Sequence, residues 1–172
     1  MDRLLAIEQS IYAESELSAL FNYFATAFYN NPEFMDFWAK MARSEANHAM
    51  ALTLEKWRVV REEIDSANVK YEEEALIKQM GRFDKLRQEV VMPAEIDQVL
   101  DIAIKAEQTA LHFHDQRIFL EGFAPSDATL QFIVDGEEFH MEILGKLKSA
   151  DDKMKALNEL DLSSLDEMMS AP

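Results

Sequence analysis

Glu45-Ala46-Asn47-His48 and Glu137-Glu138-Phe139-His140 are the two stretches on which the fold of this chain turns. Each interrupts an apolar helical stripe, the first between Met41 and Leu52, the second between Val134 and Met141. A spacing of three sets carboxylate and imidazole side by side on one helix face. Each stretch also follows, by 31 and 30 residues, another glutamate in an apolar stripe: Glu14 among Ile7, Ile11, Leu17 and Phe21, and Glu107 after Ile104. Glu16, about 200° around the helix from Glu14, is the better candidate for the solvated face.

Working outward, the stripes define helices. From Asp2 to Phe28 apolar residues recur at three and four, and Asn30-Asn31-Pro32 stops the run. Asn31 reads as the cap and Pro32 as the first turn of a second helix, carried to about Asp65. Residues 66–92 read as a connector with a shorter helix of its own, presenting Leu76, Ile77, Met80, Phe83, Leu86 and Val90 on one side. Pro93 is expected to open a third helix ending at Gly122, and Ser126 or Asp127 to cap a fourth carrying Leu130, Ile133, Val134, Met141 and Leu144. The architecture expected is all-α: residues 1–150 as a four-helix bundle of two antiparallel hairpins joined by a long crossover, then an acidic tail, 151–172, as a short helix or a frayed end.

In an antiparallel hairpin, residues equidistant from the turn share a level. The midpoint of Glu14 and Glu45 falls at the Asn30 turn, and that of Glu107 and Glu137 on Gly122. Each pair then lies roughly 23 Å from its own loop, so two facing hairpins bring all four carboxylates into one layer. An unpaired buried carboxylate costs several kcal/mol, and four together repel one another, so a positive partner is required. Two divalent cations would neutralise four carboxylates, and the two imidazoles complete a ligand set of Glu14, Glu45, His48, Glu107, Glu137 and His140. Chance placement of 20 glutamates and four histidines gives about half an E-x-x-H, so two such motifs, each symmetric about a turn with a further glutamate, form a specific signal.

Composition narrows the chemistry. The 172 residues carry 33 acidic and 17 basic side chains, a formal charge of −16, which disfavours nucleic acid and anionic membrane surfaces and favours cations. Without cysteine there is no thiolate catalysis, iron–sulfur cluster or Cys-based zinc site, so any metal must be held by oxygen and imidazole. The acidic start Met1-Asp2-Arg3 and the absence of a long apolar run predict a cytoplasmic chain without signal peptide or spanning helix. His114 lies on the face of Glu107 about 10 Å further along, which suits a core or access-channel role better than ligation.

The chain resembles the ferritin-like di-iron carboxylate superfamily, and within it the four-helix domain of rubrerythrin. Ala13-Glu14-Ser15-Glu16 with Asn22-Tyr23-Phe24 is similar to the first-helix motif, Ala106-Glu107 to the start of the third, and Glu137-Glu138-Phe139-His140 to the E-E-F-H of the fourth. The likeness spans about residues 3–148 and implies two iron ions reacting with hydrogen peroxide or dioxygen. Ala110 stands where rubrerythrin carries a further ligand glutamate, and no cysteines are present for its rubredoxin electron-entry module. The resemblance therefore implies a stand-alone oxidoreductase in peroxide or iron detoxification, a homo-oligomer whose electrons come from Fe(II) or an external donor. An iron-storage oligomer, or a non-catalytic helical module holding manganese, zinc or no metal, are the competing expectations.

Overall fold

The computed structural model describes residues 3–61, 73–90, 92–113, 127–163 and 165. Among them the chain is all-helical: α1 (Arg3–Ala27), α2 (Pro32–Arg61), α3 (Glu73–Glu89), α4 (Ile96–Phe113), α5 (Asp127–Ser149) and α6 (Lys153–Glu159). Residues 62–72 and 114–126 lie outside the description, and with them the expected ends of the second and third helices, Gly122, Ser126 and His114.

The break between α1 and α2 forms as the local sequence demands. The Asn31 side chain accepts the Phe34 N–H at 3.1 Å and its carbonyl accepts the Met35 N–H at 2.9 Å, while Pro32 occupies a first-turn position that needs no donor. The two helices are antiparallel. Ser18 Oγ donates to the Ala42 carbonyl at 2.8 Å and Lys56 meets Glu8 at 2.6 Å, so residue number falls along one helix as it rises along the other. The same holds for α4 and α5, where Lys148 pairs with Asp101 at 2.9 Å near one end and Glu107 meets His140 further along. Helix α1 also packs on α4, and α2 on α5, which closes a ring of contacts through these four helices.

Pro93 does not open α4. It follows Met92 through a cis peptide bond, ahead of the helix, and the first helical turn forms instead where the Glu95 carbonyl accepts the Val99 N–H. Helix α3 spans most of the described part of the connector, and its Phe83 and Leu86, with Val90 just beyond, are buried as the stripe requires. Arg87 of α3 reaches Glu16 of α1 at 2.7 Å, so Glu16 keeps some exposure where Glu14 has none, but it faces α3 rather than the fully solvated side expected. The acidic tail begins as a docked helix: Asp152 caps α6 by accepting the Lys155 N–H at 2.9 Å, and Leu157 and Leu165 are buried in the same apolar cluster as Trp38.

That cluster holds Phe21, Phe24, Phe37 and Trp38, whose rings meet in tilted and edge-on pairs 4.8 to 6.0 Å apart. A second, smaller cluster is formed by Ile7, Leu52 and Ile133 with Ile11 and Phe132 against them. Along α1, α2 and α5 alike, the candidate ligands stand in chain order between residues of one cluster and residues of the other. Apolar packing thus lies on both sides of the polar layer. None of the described helices is long and apolar enough to cross a membrane.

Candidate metal centre

All six residues expected in the ligand set are brought together, and all are buried to within 1% of full burial. Glu14 is delivered by α1, Glu45 and His48 by α2, Glu107 by α4, and Glu137 and His140 by α5. On α4 the residues around Glu107 are small: Ala103, Ala106 and Ala110 are fully buried, and side chains of that size let a helix carrying a carboxylate come close to its neighbours.

The geometry resolves into two overlapping donor groups. One ligand atom from each of Glu14, Glu45, His48 and Glu137 lies within 4.8 Å of the others, and the same is true of Glu45, Glu107, Glu137 and His140. Glu45 and Glu137 belong to both. Glu45 Oε2 is 3.0 Å from His48 Nδ1, whereas its Oε1 is 2.7 Å from His140 Nδ1, so the two oxygens of one carboxylate face different imidazoles. His48 Nδ1 also stands 3.4 Å from Glu14 Oε2 and 3.5 Å from Glu137 Oε1; His140 Nδ1 stands 3.3 Å from Glu107 Oε1. Close as they are, several of these atoms are misaligned for hydrogen bonds. Glu45 Oε1, both oxygens of Glu107, both of Glu137 and His140 Nδ1 have no hydrogen-bond partner among the described residues. Buried polar atoms left in that state are costly unless a cation takes the lone pairs.

The electrostatics report the same crowding. Burial raises Glu107 to about 7, helped by the neighbouring charge of Glu45 and opposed by His140. Glu137 is likewise raised to about 7 by burial and by Glu107 and Glu14, against the favourable pull of His48. For the imidazoles burial works toward the neutral form, but the carboxylates prevail: Glu45 and Glu107 raise His140 to about 10, and Glu137, Glu14 and Glu45 raise His48 well above its ordinary 6.5. Without a cation, protons gather at the cluster and supply the positive charge.

Three participants had escaped the sequence. Ser44 Oγ lies 3.0 Å from His140 Nε2, behind the imidazole, and no local pattern announces a contact between residues 96 apart. Gly136 leaves room for His48: a Cβ there would come within 2.3 Å of His48 Nε2. A glycine in a helix interior costs about 1 kcal/mol relative to alanine, and that cost, one residue before Glu137, was the available signal. Phe132 sets its ring at 88° to His48, with centroids 5.3 Å apart.

Carboxylate oxygens and imidazole nitrogens suit iron, manganese and zinc alike, and the donor set fits a pair of divalent ions, each with three carboxylates and one imidazole within reach. Comparison of the chain with family models, with curated proteins and with solved structures found no match in any of the three.

Proposed function

We propose that this protein is a di-iron oxidoreductase of the rubrerythrin-like, ferritin-like kind, a four-helix bundle of two antiparallel hairpins that acts on hydrogen peroxide or dioxygen. The observation that carries the reading is Glu45, whose two oxygens face the two imidazoles separately, as a carboxylate spanning two cations must. Glu137, shared by both donor groups, would be the second residue to serve both ions; Glu14 with His48 and Glu107 with His140 would each complete one ion's ligands. A bound pair of ferrous ions would supply the two electrons that reduce peroxide to water. The chain's own part is to hold that pair. Carboxylates accommodate both ferrous and ferric iron, and four of them offset the charge of two divalent ions. Apolar clusters lie on either side of the layer, and the burial of all six residues keeps bulk water from it. With no cysteine in the chain, electrons come from Fe(II) itself or from an external donor.

The motif likeness to rubrerythrin supports the choice of iron, and the charge of −16 argues against nucleic acid or an anionic membrane as partner. The test is anaerobic loading with Fe(II) followed by peroxide. Two irons per chain and rapid growth of near-ultraviolet absorbance are expected in wild type, and loss of both irons in Glu45→Ala. A wild-type chain that binds fewer than two ions, or whose bound iron is inert to peroxide and dioxygen, overturns the reading. Full occupancy by zinc or manganese after growth with ample iron would redirect it. A cage-sized particle taking up many irons per chain would favour storage.

A further inference from the structure

The two imidazoles present the same atom, Nδ1, to the cluster and differ in what lies behind them. His140 Nε2 is 3.0 Å from Ser44 Oγ. His48 Nε2 is buried and has no hydrogen-bond partner among the described residues; it rests against the helix at Gly136, where a Cβ would come within 2.3 Å of Nε2 and 2.5 Å of Cε1, and beside the Phe132 ring. The donor groups are otherwise matched, each offering three carboxylates and one imidazole and sharing Glu45 and Glu137.

The difference acts through the proton. An imidazole that gives its Nδ1 lone pair to a cation carries its hydrogen on Nε2. At His140 that hydrogen has the Ser44 oxygen to receive it, which fixes the ring's tautomer and orientation; at His48 no acceptor among the described residues receives it. Such outer partners typically change metal affinity by about 10- to 100-fold. We propose that the two cation positions are unequal. The half built on Glu107 and His140 fills first, and the half built on Glu14 and His48 fills second. Gly136 is a positioning residue for the second, because only a hydrogen at that place lets the His48 ring reach the cluster. The proposal rests on the two-cation reading above.

Manganese(II) titration followed by calorimetry and by equilibrium dialysis tests both and separates them. Wild type should take up two equivalents in two steps, with affinities about 10- to 100-fold apart. Ser44→Ala should weaken the tighter step by about that factor and draw the two together. Gly136→Ala should keep the tighter step and lose the weaker. If the added methyl impairs folding, as far-ultraviolet circular dichroism would show, Gly136→Ala combined with His48→Ala removes the clash and should still bind one equivalent tightly. Two wild-type equivalents of equal affinity overturn the inequality, a folded Gly136→Ala variant with both steps intact overturns the positioning role of Gly136, and either result leaves the two-cation reading standing. Uptake of less than two equivalents by wild type overturns both.

Discussion

Loading the cluster with two divalent ions should expel protons in a number that the burial of its members fixes. In the metal-free chain at pH 7, both imidazoles are charged, since His140 is raised to about 10 and His48 well above 6.5, and Glu107 and Glu137, each raised to about 7, are half protonated. Cations bind only the deprotonated ligands, so two imidazole protons and about one carboxyl proton leave, about three in all. The same reasoning makes the number larger at pH 6, where the two carboxyls are nearly full of protons, and smaller at pH 8, where they are nearly empty. Were the groups at their ordinary values, release at pH 7 would be about half a proton, confined to the imidazoles. Calorimetric titration of the metal-free protein with manganese(II) in buffers of different ionisation enthalpy reads the number directly. Near pH 7 the paired binding constant should also change by about a thousandfold per pH unit, the linkage expected for three protons. Release of less than one proton at pH 7, or a number that does not fall between pH 6 and pH 8, would refute the reasoning, because it would mean that the carboxylates and imidazoles titrate as if solvated.

The same groups fix the sign of stability against pH for the metal-free protein. Glu107 and Glu137 bind protons more tightly folded than unfolded, so stability falls as pH rises from their ordinary 4.5 toward 7; the contribution of His140 is full below 6.5 and is lost through about 10, and His48 acts in the same direction. Urea midpoints should therefore decline from pH 5 to pH 9 without metal and decline less with it, and a midpoint that rises over that range would contradict the account. Saturating metal should raise the melting temperature, since a ligand at 100 times its dissociation constant stabilises by about 2.7 kcal/mol; an unchanged melt at saturation would show that the cation sits elsewhere. In the tail, Leu157→Ala should cost about 2–5 kcal/mol in chemical denaturation because α6 is docked, whereas a frayed tail would leave the midpoint unchanged.

The six candidate ligands were legible because each element's periodicity is local. A glutamate inside an apolar stripe marks itself as buried, and a spacing of three pairs it with its histidine before any tertiary contact is known. The levels could be read too, since a helix has a fixed rise and Asn31-Pro32 fixes one turn. The start of α4 was misread at Pro93 because proline fits the first turn of a helix equally with the segment leading into one. The tail was ambiguous because Leu157, Leu160, Leu162 and Leu165 follow no single period, and only packing against α2 and α5 decides that α6 docks.

By itself, then, the amino-acid sequence determined the helices as far as α5, the faces they bury and which six side chains need a positive partner. Those properties depend on neighbours within a few residues along one helix. The tertiary structure alone decided that Glu45 turns one oxygen to each imidazole, that Ser44 stands behind His140, and that His48 lies on bare backbone at Gly136. These are contacts between different helices, and their geometry is set by the rotation and separation of whole helices, which packing fixes and no local spacing records.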